Sequence, residues 1–146
     1  MKLFKQPIFY IGLGALVGLI ATIVISSMAN PRYAIVDQFE KALNKKDPKL
    51  LEKCIYDDGE HDIDGESLFY AIEDGLGGWY GDSADISDYT FEILTGQAQA
   101  GEEDQIKIPS IMIVRDGDGD LVRRGGINII LLKRDGKYYI DPENIW

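Results

Sequence analysis

The chain has 146 residues, 45% of them apolar, and a formal charge of −10. That length leaves room for one domain. So much acid excludes a nucleic-acid partner, which needs clustered Lys and Arg to displace phosphate counterions. A single cysteine, Cys54, excludes an internal disulfide.

The N-terminal run IFYIGLGALVGLIATIVISSMA, residues 8–29, carries no charge. About 20 apolar residues suffice to cross the hydrocarbon core as a helix, so a transmembrane helix is predicted there. Lys2 and Lys5 precede it. They make residues 1–7 a short cytoplasmic tail and place residues 30–146 outside the cytoplasm as an α+β domain. Five basic residues between 30 and 49 weigh against that orientation, but long domains translocate largely regardless of charge. The alternative is a signal peptide cleaved after Ala29 in "SMA", releasing a secreted domain, although the run exceeds the usual 7–15 residues of a signal sequence. Gly14 and Gly18 stand four apart, a helix-packing spacing that a homodimer of spans would use.

Beyond Pro31 the pattern turns helical, with Ile35, Phe39, Ala42 and Leu43 on one face. Asp47-Pro48 reads as cap plus first turn of a second, shorter helix, whose buried stripe is Leu50, Leu51, Cys54 and Ile55. Cys54 is therefore expected as a packed thiol. A polar loop, DDGEHDIDGE, follows. Leu68, Phe69, Ile72, Leu76 and Trp79 mark a third helix, which Gly75, Gly77 and Gly78 are expected to end.

From Ile86 onward the period becomes two. Tyr89, Phe91 and Ile93 alternate with polar residues in a first strand. Ile106 to Ile113 form a second, in which Pro109 signals a bulge or an edge. Leu121 to Lys133 form a long third strand, with a kink or bulge expected at Gly125-Gly126. Asp135-Gly136 is a favoured hairpin pair, so Lys137 to Asp141 is the fourth strand.

Helices first and an antiparallel meander afterwards make an α+β plan. VDQFEKALNKKDPKLLEKCI near the start and INIILLKRDGKYYIDPENI near the end resemble the nuclear transport factor 2-like superfamily, over roughly residues 32–146. The resemblance implies a cone, with two or three helices packed on a curved antiparallel four-stranded sheet and a pocket between them. It spans isomerases, dehydratases, binding domains and membrane-anchored assembly domains, so it does not choose a function.

Three sets of residues are candidates for chemistry. His61, the lone histidine, sits among acids including Asp58 and Asp62, and a His–carboxylate pair is a common general base. The bland alternative is a solvated acidic loop. Asp116, Asp118 and Asp120 alternate in VRDGDGDLVRRGG, but a calcium loop of the EF-hand type needs Gly at position 6 and Glu at position 12. Leu121 and Ile127 stand there instead, so a hairpin turn is expected, with Gly117 and Gly119 supplying positive φ angles. Phe69, Trp79, Tyr89 and Phe91 are either core or the lining of a cone pocket for an apolar ligand. No cofactor is implied.

Charge is uneven. From Cys54 to Ile106 there are fifteen Asp and Glu and no Lys or Arg, an anionic stretch that could dock a basic protein partner. The expected function is a non-enzymatic binding or assembly module anchored in the membrane of a bacterial envelope. The alternative is a small-ligand binder or acid–base enzyme using the cone cavity.

Overall fold

Proline opens both of the first two helices, and an Asx side chain caps each. Helix α1 runs Pro31–Lys45; the Asn30 side chain accepts a hydrogen bond from the Arg32 N–H at 3.1 Å, and Lys46 ends the helix in the left-handed region. Helix α2 is Pro48–Glu52, capped by Asp47, which accepts from the Leu50 N–H at 3.1 Å. Each cap satisfies one amide that the helix itself cannot. This is a computed structural model, and it describes residues 30–59, 64–80 and 86–142, without the side chains of 75–80 and 86. The expected span at 8–29, its Gly14 and Gly18, and the cleavage point at Ala29 lie outside the described residues. Among the described residues no helix is long and apolar enough to cross a membrane.

Helix α3, Gly65–Tyr80, differs from expectation at its end. It continues through Gly75, Gly77 and Gly78. Glycine costs about 1 kcal/mol in a helix interior but keeps its N–H, so unlike proline it does not cut the hydrogen-bond ladder. At the start, Asp64 accepts from both the N–H and the hydroxyl of Ser67, at 2.7 and 2.9 Å. Gly65 lies so close to Pro48 that a Cβ there would stand 2.0 Å from the Pro48 carbonyl oxygen. Only glycine lets α3 cross the start of α2 at this distance.

After a single 3₁₀ turn at Ile86–Asp88 come the strands β1 (Thr90–Thr95), β2 (Gln99–Ala100), β3 (Ile106–Arg115), β4 (Leu121–Arg134) and β5 (Lys137–Ile140). They form one antiparallel sheet in the order β1-β3-β4-β5, with β2 also on β3. The sheet curls into a half-barrel against the three helices, so the expected α+β layout holds for the described part.

Two irregularities bend the sheet. Thr95 faces Ser110 and Gln99 faces Lys107, so residues 96–98 stand opposite only 108–109. This bulge falls at Pro109, whose carbonyl accepts from the Gly96 N–H at 2.7 Å and whose missing N–H is not needed there. The strand that holds Pro109 keeps an unbroken register with β4 from Ile106 to Val114, so the bulge expected in it is absent; the extra residue lies on the partner side. The second irregularity is not where the glycines suggested. Gly125 and Gly126 pair in register with Met112 and Ile111, whereas Val114 faces Arg123 and Arg115 faces Leu121, leaving Val122 as the extra residue. Glycine permits a bulge without forcing one.

The concave face of the sheet and the inner faces of the helices share one core. Val36, Phe39, Ala42 and Leu43 of α1 meet Phe91, Ile93, Ile108, Met112, Val114, Ile129, Leu131 and Ile140 of the sheet, with Leu51, Cys54, Ile55, Phe69 and Ile72 closing the ends. Each large apolar side chain buried there contributes about 1.5–3 kcal/mol. Cys54 is fully buried, donates to the Leu50 carbonyl at 3.2 Å, and burial pushes its thiol up to about 12. It is packing material.

Helix α1 also seals the outer edge of β1. Asn44 donates to the Phe91 carbonyl at 2.7 Å and accepts from the Phe91 N–H at 2.8 Å. Glu40 accepts from the Ile93 N–H at 2.7 Å, and Lys46 donates to the Tyr89 carbonyl at 2.5 Å. The Tyr33 hydroxyl donates to the Gly96 carbonyl and accepts from the Ala98 N–H. Polar side chains from one helix thus take the place of a missing strand.

Candidate functional site

The sequence candidates are not gathered into one site. His61 and Asp62 lie outside the described residues, and Asp58 is exposed on the link that follows α2. Phe69 and Phe91 belong to the core at 8% and 4% exposure, with half-buried Tyr89 packed against it; the Trp79 side chain lies outside the described part. On the concave face of the sheet Ile108, Val114, Ile129 and Leu131 are wholly inaccessible.

Asp116, Asp118 and Asp120 occupy the β3–β4 turn. The Asp116 carboxylate accepts from the N–H groups of Asp118 and Asp120 at 3.1 and 2.8 Å, and Arg115 donates to the Gly119 carbonyl. One of the three carboxylates is therefore occupied by the turn's own amides, an arrangement that shapes the loop. Gly119 adopts φ +86°, but Gly117 does not enter the positive-φ region, so one glycine serves where two were expected. Among the described residues no group of three or more His, Cys, Asp or Glu is arranged to hold a metal ion.

What the fold does assemble is an exterior groove of about 1220 Å³. Its walls are the N-terminal half of α1, helix α2 with the link after it, and the β4–β5 hairpin. The hairpin turns on Asp135 and Gly136 at φ +50° and +78°, the positive pair that suits a two-residue connection. This holds Arg134 and Lys137 beside Tyr138 and Tyr139. A parallel bridge pins the other wall. The Ile140 N–H donates to the Cys54 carbonyl at 2.7 Å and the Tyr56 N–H to the Ile140 carbonyl at 2.9 Å, which brings Tyr56 to 6.2 Å from Tyr139, ring centre to ring centre.

Cations surround these rings. The Arg32 guanidinium lies 5.9 Å and the Lys133 ammonium 5.6 Å from the centre of Tyr138, and Arg134 lies 5.2 Å from Tyr56. Arg32 also donates to the Tyr138 hydroxyl at 3.4 Å. That bond, with the charges of Arg32 and Lys133, holds the phenol below its ordinary range despite some desolvation. Lys49, Lys53, Arg134 and Lys137 are the cations of the groove lining, and Glu52, Asp57 and Asp135 stand among them. Such a surface can take an anionic group against Arg and Lys, with tyrosine faces beside it. Its residues come from positions 31–38, 49–57 and 134–139, so no local motif announces it. The one legible signal was KRDGKYYI, where three cations and two tyrosines flank a hairpin turn.

Solved structures share the fold. The chain is similar to an NTF-2-like protein of unknown function from Shewanella oneidensis MR-1, with TM-score 0.53 and 11% identity over 76% of this chain and 92% of that one. An uncharacterised protein with a cystatin-like fold from Caulobacter vibrioides gives TM-score 0.51 and 15% identity over 76% and 82%. An LEH-like epoxide hydrolase of M. tuberculosis is more distant, with TM-score 0.36 and 14% identity over 77% and 84%. No protein-family model and no curated protein matches the sequence. The first two likenesses define the class: the domain has the NTF2-like, or cystatin-like, fold that the two quoted segments implied.

Proposed function

We propose that the chain is a binding module of a bacterial cell envelope, held by an N-terminal membrane helix at residues 8–29 with its domain outside the cytoplasm, and that it turns over no substrate. One observation carries the choice of binding over catalysis. Where the superfamily's enzymes place acid–base groups inside the cone, the described concave face here is packed with Ile108, Met112, Val114, Ile129 and Leu131, and Ser110 is its buried polar residue. The anchor rests on the uncharged N-terminal run and its sufficient length.

The partner on this reading is a basic protein, met by the carboxylates of the lysine- and arginine-free stretch. Asp57, Asp58, Asp64 and Glu66 are all exposed there. Asp57→Asn, Asp58→Asn and Asp64→Asn together test it, because Asn removes the charge yet keeps the oxygen with which Asp64 caps α3. Capture of a basic partner from envelope extracts should weaken, and added salt should mimic the change, since exposed charges are screened beyond about 8–10 Å. His61→Ala should be silent. Turnover of a substrate that disappears with His61→Ala, and no salt-sensitive partner, would favour the acid–base enzyme.

A further inference from the structure

The groove opens where the chain enters the domain. Pro31 and Ala34, in the first turn of α1, line it, and the uncharged run ends at Ala29, two residues before α1 begins. A membrane helix ending there brings the bilayer surface to this end of the domain. On that anchored reading, we propose that the groove docks on the anionic lipid headgroups of the same membrane.

Charge supports a lipid surface as the occupant. Four cations (Lys49, Lys53, Arg134 and Lys137) line the groove against the three carboxylates Glu52, Asp57 and Asp135, and two more, Arg32 and Lys133, stand over the ring of Tyr138 in its wall. The whole chain has fifteen basic residues against twenty-five acidic. The cations are exposed except Arg32, which is half-buried. Residues 30–146 carry thirteen basic against twenty-five acidic residues, net −12, so the domain is repelled by an anionic bilayer in most orientations, and presenting the groove is the orientation that attraction selects. Near an anionic surface each Lys or Arg adds about fivefold in affinity. Tyrosine favours the membrane–water boundary, where its ring meets apolar material and its hydroxyl stays wet. Three half-buried tyrosines among exposed cations combine both preferences, and guanidinium groups grip phosphate with paired bonds.

The full chain, reconstituted into vesicles of neutral phosphatidylcholine or of phosphatidylcholine with about a third phosphatidylglycerol, tests this through the rate at which each lysine is labelled by an amine reagent. Lys53, Lys133 and Lys137 should react several-fold more slowly on the anionic vesicles, whereas Lys107, on β3 and outside the groove, should not change. Salt at about 1 M, where screening acts within about 3 Å, should restore the rates. Lys133→Gln with Lys137→Gln, both exposed, should abolish the slowing at Lys53 without unfolding the domain. Equal labelling on the two vesicle types overturns the proposal. Slowing on neutral vesicles by added glycerol phosphate also overturns it, assigning the groove to a soluble anion. Flotation with neutral vesicles at high salt reports the anchor separately. If the chain leaves those vesicles, the anchored reading fails; salt-sensitive slowing at the same lysines on anionic vesicles would then keep the groove proposal, and its absence would end both.

Discussion

The two edges of the sheet are finished in different ways. Along β1, Tyr33, Glu40, Asn44 and Lys46 take up backbone groups that an edge strand leaves open, which is one way to prevent pairing with another chain. Along β5 the closure is backbone to backbone and confined to one end, where Cys54 and Tyr56 bond Ile140. The rest of β5 borders the groove. Polar side chains are consumed by structure at the first edge and left facing solvent at the second. That contrast leaves the second edge open to contact and the first one closed.

Breaking the β5 closure should have the largest effect. Helix α2 carries the chain into the Ile55 bridge, and α3 is packed on α2 through Gly65, where a Cβ would stand 2.0 Å from the Pro48 carbonyl oxygen. Backbone cannot swing aside as a side chain can. Gly65→Ala should therefore cost about 3 kcal/mol, read as a lower urea midpoint with an unchanged slope. A loss below about 1 kcal/mol would mean that α3 can stand off from α2 freely, and that the bridge does not depend on this crossing.

Breaking the β1 seal should cost less. Asn44→Ala removes both bonds to Phe91, but water can reach the exposed Asn44 position, so about 1–2 kcal/mol is expected, with a greater tendency to associate through the freed edge. Stability equal to the parent, and no association, would show that the helix merely lies beside the strand.

The same contrast explains what could be read from the sequence. Both first helices, their Asx-Pro starts, the strand order and the Asp135-Gly136 turn follow from local rules of capping, period and turn chemistry. The cone-like fold was legible only through the resemblance of two contiguous segments to a known superfamily. Local rules failed where the outcome depended on partners. Helix α3 ran through three glycines, and the odd residue of β4 fell at Val122 next to the turn rather than at the glycine pair. The groove was invisible for a related reason. Ala34, Lys53 and Lys137 are far apart in the chain and line one groove only with Ile55 paired to Ile140. An acidic run is legible in one dimension; a cluster of cations drawn from separate segments is not.

Glu40 gives the smallest effect and sharpens the account of the sealed edge, since it is the one seal residue whose charge works against it. Burial raises its carboxyl, the Ile93 N–H bond lowers it, and Asp37 and Glu92 raise it further, for a net upward shift. The folded chain therefore holds this proton more tightly than the unfolded chain does. Its contribution to stability is fully present below the unfolded value and is lost as pH rises through the folded one. At neutral pH the ionised carboxylate is thus a liability that the bond to Ile93 only partly offsets. Glu40→Gln keeps an oxygen for the Ile93 N–H and discards the charge. It should stabilise the domain at pH 7, by less than about 1 kcal/mol because the group is only half-buried and solvent screens it. The gain should shrink as pH falls and be gone by about pH 4, below both the ordinary glutamate value and the raised folded one, where Glu40 is already largely protonated. Urea midpoints of parent and variant at the two pH values measure this directly. A variant that is weaker at pH 7 would mean that the charge strengthens the bond to Ile93 by more than desolvation and repulsion cost, and that this edge is sealed by an anion rather than despite one.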